Sequence, residues 1–381
     1  MATVTHDVRL TGAGSSARSA AEVQPRPNKP IKAWAALGLA FLVVEIIAMG
    51  GWFTSGQMTR TPAGSTPIPE WMKIGAHGWE VLGLFGYAWF MWVFLIRPWK
   101  REGRIGLDGI LCIVFQTMYW QDTLLNYFQP WSTYNTVFWN LGAWDSHILG
   151  WLSPHGNYNA EPLIWVMPIY VTLVFGPVVT GCWVMRKIRA RWPQMSNFGL
   201  VLSIFGLFVI FDLIMEPAFL MLGYYTYAGA IRKLSIFAGH YYQFPMYEAI
   251  MWPATYAVWA ALRFFKDDKG RTVAERGVDD LKVSDRGKTV VRWLALTGVC
   301  NLIFVLFYSI PAAVSGLHAD PWPKDITKRS YLTDGLCGPG TTYACPGPGN
   351  PVNRPDSVHV GPDGNLVTTK NTRHPFSTPG K

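Results

Sequence analysis

Seven uninterrupted apolar runs, each close to or above the length that crosses a bilayer, leave this chain few folds to adopt. They cover approximately 33–53, 76–97, 107–128, 162–185, 197–220, 245–265 and 289–313. About 20 such residues in a helix span roughly 30 Å of hydrocarbon. No water is present there to satisfy backbone N–H and C=O groups, so a spanning segment must be a helix or part of a closed barrel. These runs are long and continuous rather than short and alternating, which excludes the barrel. The fold expected is all-α, a polytopic membrane bundle of about seven transmembrane helices.

Basic residues set the expected direction. The N-terminal tail carries Arg9, Arg18, Arg26, Lys29 and Lys32, the second loop Lys100, Arg101 and Arg104, and the fourth Arg186, Lys187, Arg189 and Arg191. The sixth loop, from Arg263 to Lys288, holds more, whereas the third, 129–161, has no Lys or Arg. Positive-inside bias then places the N-terminus in the cytoplasm and the C-terminus outside, with Arg232 and Lys233 of the fifth loop against the trend. The net charge of +9 reads as attraction to an anionic leaflet and requires no nucleic acid. Trp34, Trp52, Trp79, Trp99, Trp131, Trp151 and Trp192 stand near segment ends, where indole rings anchor at the interface. The expected site is the plasma membrane, multi-pass.

Three regions follow. Residues 1–32 read as a disordered cytoplasmic tail, with Pro25, Pro27 and Pro30, and no cleaved signal peptide is expected. Residues 33–315 form the membrane domain, with the long outer loop 129–161. Residues 316–381 read as a loose Gly/Pro-rich extracytoplasmic tail, where Cys337 and Cys345 are able to close a disulfide. Cys112, Cys182 and Cys300 lie within spans and read as packing residues.

Six acidic residues, Glu45, Glu80, Asp122, Asp212, Glu216 and Glu248, lie inside or at the ends of the apolar runs. Each falls in the half nearest the outer face. A carboxylate at the centre of a span costs roughly 2.5–3.5 kcal/mol on insertion scales, so such residues face a bundle interior and mark functional paths. On α-helical pitch, Asp122 lies about 9 Å below the outer end of its span, with Asn126 one turn further out on the same face. Asp212 and Glu216 form another i,i+4 pair, followed by Pro217. Glu248 opens the sixth span after Tyr241, Tyr242, Gln243 and Tyr247, and His77 and Glu80 share a face of the second. Two plainer roles are open: Glu80 and Glu248 as charges favoured at helix starts, and Glu45 as a structural partner of His77. The inner halves of the spans carry few ionisable groups.

The loop 129–161 adds Trp131 to Asn135, then Trp144, Asp145, Ser146 and His147, then Pro154, His155, Glu161 and Pro162. Long ordered loops are usually functional, and this one is expected to fold as a lid over the outer mouth. Tyr119, Trp120 and Trp144 flank polar residues of the supposed pocket.

Several chemistries are set aside. The last span has no Lys for a retinal Schiff base, and the eight His show no clustered spacing for a di-iron centre. No phosphate-binding or dinucleotide Gly loop appears in a strand–helix context. No metal and no cofactor is expected. A carboxylate-rich, aromatic-lined pocket suits acid/base chemistry on an apolar, oxygen-bearing small molecule or lipid.

Four stretches carry a resemblance: YWQDTLLNYF at Tyr119–Phe128, WDSHILGW at Trp144–Trp151, FDLIMEP at Phe211–Pro217 and YYQFPMYE at Tyr241–Glu248. Together they resemble the AveC-like spirocyclase family over about 35–315, in neither tail. The family is named for a membrane protein of macrolide biosynthesis that closes a dihydroxy-ketone into a spiroketal and also dehydrates it. The resemblance therefore implies a membrane-embedded cyclase/dehydratase acting on a polyketide- or lipid-like hydroxy-ketone. It brings no catalytic residue set, so roles come from the residues alone. Asp122 is the expected acid, and Glu216 with Asp212 supplies charge and base. Glu248 and His147 orient hydroxyls, while Asn126, Trp120, Tyr119, Glu80, His77, Trp144, Asp145 and Tyr241 line the substrate. The competing expectation is a non-enzymatic lipid- or polyketide-binding carrier, which requires polar groups on both sides of the midplane.

Overall fold

Each apolar run nucleates a helix, but two wind or end differently from expectation. The computed structural model describes residues 29–355 and 357–368. Helix α1 is Ile31–Thr54, α2 Glu70–Glu102, α3 Leu107–Thr117 and α4 Val166–Arg191. Then follow α5 at Asn197–Met221, α6 at Glu248–Phe264 and α7 at Asp285–Gly316. Among the described residues, five helices (α1, α2, α4, α5 and α7) are long and apolar enough to cross a membrane. Helix α6 has 17 residues and α3 only 11.

The expected helix over 107–128 changes character at its polar residues. After Thr117 the chain tightens into a 3₁₀ helix, Met118–Asn126. Such a helix rises about 2.0 Å per residue and eclipses i with i+3, so Asp122 and Asn126 lose their shared face. The polar groups explain the change: Gln121 Nε2 donates to Asn301 Oδ1 on α7, Trp120 O accepts from Trp144, and Asp122 accepts from two phenols. Single π-helical turns interrupt α2 at Met91–Ile96, α4 at Tyr170–Val174 and α7 at Val305–Ser309. The last two present Tyr170 and Tyr308 to the interior.

Burial separates the helices into two kinds. On α1, α2 and α5, Leu39, Val43, Ile46, Val81, Phe85, Ile210 and Ile214 remain exposed, the outward apolar surface a bilayer solvates. Helix α6 packs against α4, α5 and α7 and buries Tyr256, Trp259 and Ala260. Helix α1 lies along α7, where Gly38 and Gly298 let the backbones touch. A Cβ on Gly38 would fall 1.9 Å from Leu294 O, and one on Gly298 2.3 Å from Trp34 O, the small-residue contact that membrane helices use.

Loops cover one end of the bundle. Within 129–161, Trp131, Phe138, Trp144, Asn135 and Asp145 are fully buried. Strand β1 (Thr133–Tyr134) pairs antiparallel with β2 (Tyr225–Thr226), in the register Thr133↔Thr226 and Tyr134↔Tyr225. Trp131 therefore sits in this cap, and Trp52 packs edge-on against Trp144 at 5.6 Å. Neither is the interface anchor its position implied, whereas Trp99 and Trp192 are half exposed.

The C-terminal segment is not loose where it is described. Trp322, Ile326, Tyr331 and Leu332 form a small core with Met72 and Ala228, and Cys337 and Cys345 are disulfide-bonded. Thr133 Oγ1 donates to Leu332 O at 2.6 Å, Thr136 N to Tyr331 O at 3.0 Å, and Ala160 N to Asp334 Oδ2 at 3.1 Å. Gly and Pro dominate the composition, but these apolar residues between them give the segment something to bury. Residues 1–28 and 369–381 of the two expected tails lie outside the described residues.

Candidate active site

Helix α5 turns Asp212 and Glu216 inward one turn apart, and the 3₁₀ turn after α3 brings Asp122 to face them. All three line one cavity of about 100 Å³, with Tyr134, Tyr170, Tyr225, Tyr227 and Tyr308 around them. That free space is several times the roughly 10–15 Å³ that a single water needs. A space of that size does not hold a long chain.

Asp122 is held from two elements. Tyr134 Oη, on β1, donates to Oδ2 at 2.7 Å; Tyr170 Oη, on α4, donates to Oδ1 at 2.8 Å. Behind it lies Glu161, within hydrogen-bonding reach of Asp122 and of the Tyr119 hydroxyl. Burial, with the Asp122 and Asp145 charges nearby, holds the Glu161 carboxyl well above the usual carboxylate range. Glu161 thus keeps a proton beside a carboxyl that faces the cavity.

The opposite wall repeats the pattern. Tyr227 Oη donates to Glu216 Oε1, and the Tyr225 hydroxyl lies within reach of the same carboxyl. Asp212 is backed by Glu248 as Asp122 is by Glu161: the two carboxyls are hydrogen-bonding neighbours, and Glu248 is 0% exposed. Each half therefore joins a cavity-facing carboxyl to a buried one. Close carboxyls in low dielectric cannot both ionise freely, and such pairs divide acid and base work between them.

Other expected site residues are placed elsewhere. Glu80 takes His77 Nδ1 at 2.7 Å and the backbone N–H of Trp139 at 2.7 Å, tying the loop to α2. Its partner being Glu80, His77 does not pair with Glu45. Helix α2 starts at Glu70, too early for Glu80 to be a helix-start charge. Asn126 Oδ1 accepts from Trp131 N and Ser132 N, shaping the turn into the cap. His147 reaches Gln57 Oε1 at 3.2 Å, and Tyr241 Oη donates to Met221 O at 2.8 Å; neither lines the cavity. Trp120 and Trp144 join by the bond from Trp144 Nε1 to Trp120 O at 2.8 Å, and Tyr119 packs edge-on on Trp144 at 5.0 Å. Asp145 accepts from Asn159 beneath the cap, and burial pushes its carboxyl up to about 8.

Residue-type reasoning missed the tyrosines and Glu161. The signal for Glu161 was its place in a loop rich in Trp, Tyr and Asn. Tyr225 and Tyr227 stood in a GYYTY run directly after the Asp212/Glu216 helix. Among the described residues, no group of three or more His, Cys, Asp or Glu is arranged to hold a metal ion.

Comparison with known proteins bears on these residues directly. No curated protein and no solved structure matches the chain. The family described as "Spirocyclase AveC-like" matches residues 102–332. That match starts later than the resemblance read from the sequence and runs further, into the C-terminal segment. It covers more than half of the chain and takes in Asp122, Glu161, Asp212, Glu216, Glu248 and all the cavity tyrosines. The chain belongs to the AveC-like spirocyclase family.

Proposed function

We infer that this protein is a membrane-embedded cyclase/dehydratase that closes an apolar dihydroxy-ketone, polyketide- or lipid-like, into a cyclic ketal by carboxyl acid/base chemistry. One observation carries this reading: Asp122 and Asp212 enter one cavity from different helices, each backed by a second, buried carboxyl. Family membership points to the same reaction type.

Closure of a hemiketal to a spiroketal releases one water. The departing hydroxyl takes a proton from Asp122, and Glu161 replaces that proton through their contact. As the C–O bond breaks, positive charge spreads over the ring oxygen and its carbon. Glu216, fixed by Tyr225 and Tyr227, faces that charge across the cavity. The second hydroxyl attacks the carbon, and its proton passes to Asp212 and Glu248. Dehydration uses the same groups, with a C–H proton removed in place of the hydroxyl attack. In this reading the bundle crosses the plasma membrane seven times, N-terminus inside, and the cavity opens near the outer leaflet under the 129–161 lid.

The test is conversion of a long-chain dihydroxy-ketone by the purified protein in nanodiscs, with loss of one water followed by mass spectrometry. Asp122→Asn and Glu216→Gln should each abolish it while folding normally. Full conversion by both variants ends the proposal.

A further inference from the structure

An apolar groove on the outer surface of the bundle shares part of its wall with the cavity. The groove, about 510 Å³, runs between α2, α4 and α5 and is lined by Phe90, Phe94, Leu173, Pro177, Leu207 and Phe211. Leu173 and Phe211 line both spaces. Phe211 is 36% exposed, so one of the two shared wall residues reaches the outer surface.

The groove is built by the sequence of α4. Pro177 has no N–H to give the carbonyl four residues earlier, Leu173 O. Tyr256 Oη, on α6, donates to that carbonyl at 3.2 Å. Tyr256 also lines the cavity. Together with the π turn at Tyr170–Val174, the proline interrupts regular α4 packing where the groove lies.

Resting on the cyclase reading above, we propose that this groove is the subsite for the apolar chain of the substrate, which reaches the cavity sideways from the bilayer past Leu173 and Phe211. The occupant is a linear hydrocarbon chain joined to the oxygenated head that reacts at Asp122 and Glu216. Two facts select it over a bilayer lipid. The cavity alone, about 100 Å³, is too small for a long chain, and the groove abuts that cavity at Leu173 and Phe211.

The probe is a long-chain dihydroxy-ketone with a diazirine at the chain end, photolysed with the full-length protein in phosphatidylcholine nanodiscs. Adducts are mapped by peptide mass spectrometry, and conversion of the probe is measured in the same samples. The proposal expects adducts on Thr172–Thr180 and Leu207–Phe211, reduced at least tenfold by excess unlabelled dihydroxy-ketone. Thr180→Trp, which fills the far end of the groove without reaching the cavity, should reduce them similarly. Adducts spread evenly over α1, α2 and α5, or not displaced by the competitor, overturn it. Conversion with adducts elsewhere overturns the chain subsite alone. Competed groove adducts without conversion support the subsite and overturn the cyclase reading.

Discussion

Tyr134 and Tyr225 are directly paired across the β1–β2 ladder, their rings 5.8 Å apart, yet their hydroxyls serve different carboxyls. Tyr134 Oη donates to Asp122, and the Tyr225 hydroxyl lies within reach of Glu216. Paired residues of an antiparallel ladder point to one face of it. Two residues of strand therefore fix both walls of the cavity at once, and the cap is part of the site as well as its cover.

Removing either hydroxyl should cost activity without removing the ring packing. Hydrogen bonds to charged groups are worth about 1.5–3 kcal/mol, so Tyr134→Phe and Tyr225→Phe should each lower kcat/KM roughly 10- to 100-fold. Because the acceptors differ, the two should couple only through their ring contact, and weakly. Tyr134→Phe and Tyr170→Phe act on the same Asp122 and should show coupling in a double-mutant cycle. Equal coupling in both cycles contradicts this division of labour.

Glu161 sets a pH signature. Its carboxyl is held protonated by burial, so the relay to Asp122 proposed above should fail once pH passes that raised value. The wild-type rate should fall on the alkaline side, while Glu161→Gln should be slow throughout and lack that limb. An unchanged profile in the variant removes Glu161 from the reaction.

Asp145 affects stability instead. Its folded value, about 8, lies above the ordinary 3.8, so the folded protein binds the proton more tightly than the unfolded chain. The resulting stabilisation is complete below 3.8 and is lost as pH rises through about 8. Thermal unfolding in detergent should therefore occur at lower temperature as pH increases across that window. Asp145→Asn should flatten part of the slope, leaving the part due to other buried carboxyls, Glu161 and Asp334 among them, which burial also raises. A slope identical to wild type rejects the assignment.

Carboxyls inside apolar helices were legible because charge is rare there. Asp122, Asp212 and Glu216 stood out from their neighbours, and the cavity joins them. The tyrosines did not stand out, since Tyr is ordinary near a membrane interface and composition does not encode where its hydroxyl points. Glu161 looked like a loop residue because its burial depends on the fold of the cap. Asn126 was misplaced by assuming α-helical pitch through a stretch that winds as 3₁₀. The C-terminal segment was misread because Gly and Pro outnumber the few apolar residues that dock it.

That docking gives a redox prediction. The Cys337–Cys345 bond closes a loop with a sequence separation of 8, and chain entropy for such a loop gives about 2.5 kcal/mol. Losing it should raise local opening of the segment roughly 60-fold. Limited proteolysis within 316–345 should accelerate accordingly in reductant, and equally in the Cys337→Ser/Cys345→Ser protein without it. Unchanged cleavage would mean that the core of Trp322, Ile326, Tyr331 and Leu332 holds the segment unaided.

The α1–α7 contact tests the packing most sharply. A methyl on Gly38 or Gly298 would meet backbone atoms at 1.9 and 2.3 Å, and backbone cannot rotate away as a side chain does. The helices must separate, at a cost of about 1–3 kcal/mol or more for overpacking. Helix α1 has little else to hold it, since its buried residues are Ile31, Gly38, Ala48 and Trp52. Gly38→Ala and Gly298→Ala should each lower the unfolding temperature and weaken a cysteine cross-link engineered between α1 and α7. A methyl on Gly50, also in α1, would meet no atom within 4 Å. Gly50→Ala should then be neutral or gain up to about 1 kcal/mol from helix propensity. If all three alanines behave alike, close backbone contact is not what seats α1.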